Sequence, residues 1–284
     1  MHFVHTFWTP PKYSGDIHIS KIIECDTLYY ALSFAYLKKL GQEVVLHTDD
    51  KGAEILSFIP YDKVYLTLND IPENANHNMW ACGKFFAMKN EPLDSIHIDG
   101  DVFIKSEDCL NEIIKQYNDN DVVVQDIEVN VGYSDYSYLL NAGIKTPPYS
   151  NSKFNDSCCT GIIGFNNQKL KDEYLELYFN LFEQISENEK LKTLEKSVII
   201  DLVCEQYFLK CLCDTSNYSI GVLIKNYFRR YDYLKKFGYE HLMGIEKYKR
   251  PKTLSKCKFE LLSLYRELFS MYVKNADKLR KSEA

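Results

Sequence analysis

Short apolar runs alternate with longer stretches of helical periodicity over the first 125 residues, and this alternation strongly constrains the fold. Runs rich in Val, Ile, Phe and Thr are typical of strands. The predicted strands are residues 2–8, 43–47, 63–68, 95–104 and 121–125, and the predicted helices are residues 20–40, 53–58, 79–89 and a helix capped by Ser106. Elements that alternate at this spacing predict an α/β domain with a largely parallel sheet.

The rest of the chain extends this domain and adds a tail. The later predicted elements are strands at residues 158–165 and 219–224 and helices at residues 168–187 and 191–210. We expect residues 1–250 to form one domain with a mixed, mostly parallel sheet flanked by helices. Residues 251–284 are rich in lysine and predict a helical appendage, which either packs on the domain or attaches to an anionic membrane. The apolar side of this appendage is expected to carry Phe259, Leu262, Tyr265, Phe269 and Tyr272.

The composition excludes several classes of protein. A hydrophobic content of 45% is enough for a core, and a net charge of −6 argues against a surface built for nucleic acid. The nine cysteines are an odd number without the spacing of zinc sites, so free thiols in a reducing compartment are expected. The sequence shows no signal peptide and no apolar stretch of about eighteen residues. We therefore expect a cytoplasmic protein.

The acidic pair in Asp99-Gly100-Asp101 follows a predicted strand. On an extended backbone, two carboxylates at i and i+2 point to the same side, and Gly100 leaves space for a ligand between them. Paired carboxylates at a strand end are suitable ligands for Mg²⁺ or Mn²⁺. The alternative is a solvated Asp-Gly-Asp turn, but the apolar residues on both sides favour a position within a sheet.

Three separated motifs resemble the family 8 glycosyltransferases. The strand-end Asp-x-Asp is followed by the acid-Gln pair Glu205-Gln206 and then by His-x-x-Gly-x-x-Lys at residues 241–247, in the order that this family has. These are retaining, metal-dependent enzymes of the GT-A fold that use nucleotide-sugar donors. The wider GT-A group, which includes capsule- and lipopolysaccharide-type transferases, resembles the chain equally well.

The resemblance implies a metal site and a donor site. By this comparison Asp99, Asp101 and His241 would bind Mn²⁺ or Mg²⁺, which would bridge the diphosphate of a nucleoside-diphosphate sugar. Gly244 would let the backbone approach the phosphates, and Lys247 would add a positive charge there.

The same comparison implies further contacts to the donor and the acceptor. Lys84 would pair with donor sugar or phosphate, Gln206 would face the reactive side of the sugar, and Glu205 would hold sugar or acceptor hydroxyls. Thr6 and Trp8 would face the nucleobase. The implied activity is transfer of a hexose, most simply from a UDP-linked donor, to a glycan or a lipid-linked glycan at the inner face of a membrane.

The chain departs from the family pattern in several places. Residues 159–161 are Cys-Thr-Gly where the family has Asn-x-Gly, and residues 248–249 are Tyr-Lys where it has Pro-Trp. The acid before Gln206 is glutamate, whereas aspartate is commoner. These departures bear on the family assignment and on retention of configuration.

Other interpretations of the same residues stay open. Trp8 suits a core position, Lys84 an exposed helix face, Glu205 and Gln206 the polar side of a helix, and His241 a helix end. Haloacid-dehalogenase-type phosphatases also use Asp-x-Asp, but on their first strand, whereas about three strands precede Asp99 here. A non-catalytic protein that binds nucleotide sugars on the same scaffold is the other alternative.

Overall fold

The structure is a computed structural model that describes residues 1–10, 19–76, 78–129, 136–147, 155–192, 197–224, 236–244, 248 and 250–282. The strands are β1 (His2–Phe7), β2 (Val44–Thr48), β3 (Lys63–Tyr65), β4 (Ser95–Ile98), β5 (Val102–Ile104), β6 (Val122–Glu128), β7 (Ser157–Phe165), β8 (Ile220–Ile224) and β9 (Tyr239–His241). The helices are α1 (Ile19–Lys39), α2 (Asp50–Ile55), α3 (Cys82–Asn90), α4 (Glu107–Asp119), α5 (Ser137–Asn141), α6 (Gln168–Ser186), α7 (Glu189–Lys192), α8 (Ser197–Leu202), α9 (Phe208–Ser216), α10 (Pro251–Leu264) and α11 (Arg266–Ser282). A π-helical turn, Val203–Tyr207, joins α8 to α9.

Seven strands form one sheet in the order β3-β2-β1-β4-β7-β6-β8. β7 is antiparallel to both of its neighbours, β4 and β6, whereas the other pairs of this sheet are parallel. The prediction of an α/β fold with a mixed, mostly parallel sheet is therefore confirmed. β5 and β9 pair antiparallel in a second, two-stranded sheet, where Val102 lies opposite His241.

Helices cover both faces of the large sheet, because side chains along a strand point alternately to its two faces. On β6, Val123 belongs to one apolar cluster, which it shares with α1, α4, α10 and α11. Its neighbours Val122 and Val124 belong to the other cluster, with α3, α6 and α9. β7 is buried along its whole length, as expected for a central strand with helices on both sides.

The strand predicted over residues 95–104 is instead two strands in two different sheets. The chain turns between them, and the Val102 N–H donates to the Asp99 carbonyl at 3.0 Å. Asp99 and Asp101 therefore lie in a turn and not on an extended backbone, contrary to the expectation from the i, i+2 spacing. The strand alternation stops at this point because the two apolar runs belong to separate sheets.

The helix predicted over residues 191–210 is also interrupted. Within the described residues it comprises the end of α7, all of α8, the π-helical turn that holds Glu205 and Gln206, and the start of α9. A π-helical turn inserts an extra residue and turns the side chains that follow it, and such turns often occur at functional sites.

The C-terminal stretch forms two helices, and the predicted apolar side is confirmed only in part. Phe269 and Tyr272 pack on the core as predicted, whereas Phe259, Leu262 and Tyr265 are exposed. The helical spacing breaks at Tyr265, so Tyr272 is 2% exposed whereas Phe259 is 70% exposed. The residues that pack into the core with α1 are Cys257, Leu261, Leu268, Tyr272 and Ala276. None of the described helices has the length and apolar character needed to cross a membrane. All nine cysteines are buried free thiols, as the sequence predicts.

Candidate functional site

A cleft of about 610 Å³ opens where β1 and β4 end. Its lining includes most of the site residues that the sequence predicts, namely Thr6, Trp8, Lys84, Asp99, Asp101, Gln206, His241 and Gly244. Glu205 is not part of this lining, and Lys247 lies outside the described residues. Segments that are far apart in the sequence therefore meet at one edge of the sheet, where ligands of α/β proteins bind.

Asp99, Asp101 and His241 form a compact group of oxygen and nitrogen ligands. Their ligand atoms all lie within 4.8 Å of one another, and His241 Nε2 is 3.6 Å from Asp101 Oδ1. Atoms that bind one small divalent cation at about 2.0–2.2 Å lie roughly 3–4 Å apart. The 3.6 Å separation lies in this range, and the donor set of two carboxylates and an imidazole suits Mn²⁺ or Mg²⁺.

The pairing of β5 with β9 brings the histidine to the two aspartates. His241 lies opposite Val102, the residue after Asp101. The Leu242 N–H then donates to the Asp101 carbonyl at 3.1 Å, which extends the ladder by one more hydrogen bond. The backbone thus fixes the distance between His241 and the turn without help from a bound ion.

A tyrosine ring packs against Gly100 and requires a glycine at this position. A Cβ at this position would lie 2.3 Å from the ring of Tyr30, far inside van der Waals contact. The Tyr30 hydroxyl donates to the Thr6 carbonyl at 2.5 Å, which holds the ring in place. Gly100 also lines the cleft, so a packing requirement is added to the expectation that it leaves space for a ligand.

Lys84 is buried and links Asp99, a proposed metal ligand, to the buried Glu205. Its Nζ lies 3.0 Å from Asp99 Oδ1, 2.5 Å from Glu205 Oε1 and 3.0 Å from the Thr160 carbonyl oxygen. Burial lowers the pKa of Lys84, but the Asp99 and Glu205 carboxylates raise it by more, so the amine stays charged. An ammonium group has three N–H donors, and these three contacts use all of them.

Glu205 lies beneath Lys84, out of contact with the cleft. It is completely buried, and Oε1 also accepts a hydrogen bond from the Thr160 hydroxyl at 2.6 Å. The other oxygen, Oε2, has no hydrogen-bond partner among the described residues. Of the predicted acid-Gln pair only Gln206 lines the cleft, because the π-helical turn points the two side chains in different directions.

A bulge in β7 places the Thr160 carbonyl oxygen beside Lys84 Nζ. Between the pairs Val124–Ile163 and Asp126–Cys159, one residue of β6 lies opposite three residues of β7. Thr160 and Gly161 lie in this bulged stretch, and the Gly161 carbonyl accepts the Asp99 N–H at 2.9 Å. Bulges are common beside active sites, where they redirect backbone and side chains.

The sequence matches the family described as "Family of unknown function (DUF6734)" over residues 1–275. The chain belongs to this family. The match includes both sheets and every described residue of the cleft. A search of the curated proteins finds no match to the sequence.

Sequence reasoning missed several cleft residues of this DUF6734 chain. His97 on β4 lines the cleft, with Nε2 2.9 Å from Thr6 Oγ1 and Nδ1 3.9 Å from Asp99 Oδ1. Burial and the nearby Lys84 charge lower the pKa of His97 well below its ordinary value, so the ring is neutral. The alternation of β4, in which His97 lies between two core isoleucines, was a visible sign that it faces the other side of the sheet.

Both tryptophans of the DUF6734 chain line the cleft, but only one is exposed there. Trp8 is 5% exposed and belongs to the apolar cluster around Met79 and Phe85, whereas Trp80 is 41% exposed.

Asp49 also lies at a strand end, but its side chain caps α2 by accepting the Gly52 N–H at 2.7 Å. Asp49 is therefore structural and not part of the cleft lining.

Two further features complete the cleft of the DUF6734 chain. Gly244 has φ +76°, which favours glycine, and a Cβ at this position would meet no other atom within 4 Å, so its surroundings are open. Asp126, Glu128 and Cys159 form a second compact group of potential ligands, and Glu128 and Cys159 line the same cleft.

Proposed function

We propose that this DUF6734 protein is a metal-dependent glycosyltransferase of the GT-A fold. It would move a hexose from a nucleoside-diphosphate sugar, expected to be UDP-linked, to a hydroxyl group of a glycan. The observation that carries the proposal is the group of Asp99, Asp101 and His241, with ligand atoms within 4.8 Å of one another in the lining of a cleft of about 610 Å³. The order of motifs that resembles family 8 glycosyltransferases supports it further.

In this proposal each group of the cleft has a distinct task. Asp99, Asp101 and His241 hold Mn²⁺ or Mg²⁺, which when bound supplies positive charge to the diphosphate of the donor. Lys84, whose N–H groups are already used, holds Asp99 in its orientation, and Gly244 leaves its side of the cleft open to phosphate. The Gln206 amide faces the sugar.

The proposed reaction exchanges one bond at the anomeric carbon for another. The bond from this carbon to the diphosphate oxygen breaks, a bond to the acceptor oxygen forms, and the acceptor proton goes to the leaving diphosphate. By resemblance to family 8 we expect the configuration at the anomeric carbon to be retained.

Thermal unfolding with UDP, GDP, UDP-glucose and UDP-galactose, each with Mn²⁺ and with EDTA, tests the donor site. A ligand at about one hundred times its Kd stabilises the folded state by about 2.7 kcal/mol, which raises the Tm of a chain of this length by about 4–5 °C. We expect this shift with one nucleotide and only with metal, and we expect Asp101→Asn to abolish it. Asp108→Asn, an exposed position on α4, is the matched control. No metal-dependent shift with any nucleotide would refute the proposal.

A non-catalytic protein that binds nucleotide sugars is the second candidate. It is favoured by the burial of Glu205, which leaves the acid of the acid-Gln pair out of reach of a substrate. A metal-dependent thermal shift without release of nucleoside diphosphate in the presence of glycan acceptors would support this candidate over the transferase.

We also propose that the acceptor is a glycan or lipid-linked glycan at the cytoplasmic face of a membrane. The tail supports this, because Phe259, Leu262 and Met271 are 70%, 38% and 44% exposed beside a lysine-rich sequence. Exposed apolar side chains next to basic residues bind anionic lipid surfaces. Lys256 and Lys258 instead pair with Glu240 and Glu24, which attaches the tail to the domain.

A further inference from the structure

Gln125 on β6 lies directly behind His241, outside the cleft lining. It is 1% exposed, and its Oε1 is 2.7 Å from His241 Nδ1 and 2.5 Å from the Tyr239 hydroxyl. Tyr239 and His241 are two residues apart on β9, so both side chains point to the same side and meet one amide oxygen. We infer that Gln125 is a positioning residue that prepares His241 to bind the metal ion. This inference rests on the metal site of the proposed function.

The two short contacts determine which imidazole nitrogen carries the proton. An amide oxygen can only accept a hydrogen bond, so the Tyr239 hydroxyl donates to Gln125 Oε1. An oxygen that accepts from Tyr239 also accepts from His241 Nδ1, so Nδ1 carries the hydrogen. A neutral imidazole has one N–H, which leaves a lone pair on Nε2.

The nitrogen with the lone pair is the one that faces the aspartates. His241 Nε2 lies 3.6 Å from Asp101 Oδ1 and belongs to the proposed metal group. Histidines that bind metal commonly donate their other N–H to a fixed oxygen, which sets the tautomer and the ring orientation. Gln125 supplies that oxygen here, although the residue lies 116 positions before the histidine in the sequence.

The local packing around the ring requires a glycine at position 161. A Cβ at Gly161 would lie 2.7 Å from both His241 Cε1 and Gln125 Oε1, so the imidazole and the amide fill the space that a side chain would need. Gly161 lies in the bulged stretch of β7, which faces Gln125 across the sheet. The glycine thus makes room for the ring, and the glutamine holds it by a hydrogen bond.

Titration of the protein with MnCl₂ alone, measured by calorimetry, tests the inference without any reaction. Gln125→Met keeps the size and removes the acceptor, and we expect it to weaken Mn²⁺ binding by about 10–100-fold. Gln125→Glu keeps an oxygen acceptor, so we expect an affinity within about threefold of the unmodified protein. Gln116→Met on α4, where the glutamine hydrogen-bonds to Glu112, is the matched control and should have no effect.

Nitrogen-15 NMR of the metal-free protein gives an independent test. For the neutral His241 ring, the expected signals are those of the tautomer with its hydrogen on Nδ1, and this preference should be lost in Gln125→Met. A neutral ring with its hydrogen on Nε2 in the unmodified protein would overturn the inference, whether or not the variant folds. Equal losses of Mn²⁺ affinity in Gln125→Met and Gln125→Glu would also overturn it, because packing would then be the cause. If the unmodified protein binds no Mn²⁺, the proposed function fails, while the NMR result still tests the role of Gln125.

Discussion

Replacing Lys84 with methionine should lower the free energy of unfolding by about 3–5 kcal/mol, because it leaves the fully buried Glu205 without its cation. The lysine Nζ lies 2.5 Å from Glu205 and 3.0 Å from Asp99. At an effective dielectric constant of about 20, each contact contributes a gross attraction of about 6 kcal/mol, most of which offsets the cost of dehydrating the charges. The free energy of unfolding lost on removing one partner is therefore much larger than the net stabilisation that the two ion pairs provide.

A second substitution separates this explanation from simple loss of packing. With Glu205→Gln in addition to Lys84→Met, the buried charge is gone, and we expect about 2–3 kcal/mol of the loss to be recovered. Urea unfolding measures both effects. With an m value of about 3 kcal/mol/M, the single variant should shift the urea midpoint down by roughly 1–1.7 M.

Lys171→Met is the matched control for a buried lysine. Lys171 on α6 is 6% exposed and donates to the backbone carbonyl of Glu91, so its removal should cost only about 1–2 kcal/mol. Equal losses for Lys84→Met and Lys171→Met would refute the reasoning. A double variant that is less stable than Lys84→Met would refute it as well.

Two further predictions concern acid stability and membrane contact. Burial raises the pKa of Glu91, but hydrogen bonds from His2 and His47 lower it by more, to about 2. The stability that this group contributes is present above about pH 4.3 and is lost as the pH falls toward 2, so Glu91→Gln should flatten the Tm profile between pH 5 and 2. An unchanged slope would contradict this. If the tail binds lipid, Phe259→Ser should reduce cosedimentation with anionic vesicles several-fold, because it removes apolar surface from the contact. Equal sedimentation of both proteins would exclude Phe259 from the contact.

Local patterns in the sequence predict the features that depend on local interactions, namely strands, helices and helix caps. The apolar alternation predicts most strands and helices within a few residues. Ser106 is confirmed as the N-cap of α4, where its hydroxyl oxygen accepts the Cys109 N–H at 3.2 Å. The motif order also selects residues that meet in one cleft, because parallel strands bring their carboxyl ends to one edge.

The sequence gives little indication of contacts between distant segments. Nothing near Gln125 indicates that it meets His241, and nothing near Glu205 indicates that Lys84 covers it. The turn between β4 and β5 was missed because both runs are apolar, and only the pairing of β5 with β9 shows that they belong to different sheets. The break at Tyr265 was missed because the residues on both sides of it favour a helix.

The pairing of β5 with β9 has a consequence for synthesis of the chain. Asp101 and His241 are separated by 140 residues, which a ribosome adds in about 7–28 s at 5–20 residues per second. During this interval the nascent chain carries the two aspartates without the histidine, and β5 has not yet met its partner strand. The proposed site is therefore completed only after residue 241 has been made, so a nascent chain shorter than this would have little affinity for the ion that the complete site is proposed to hold.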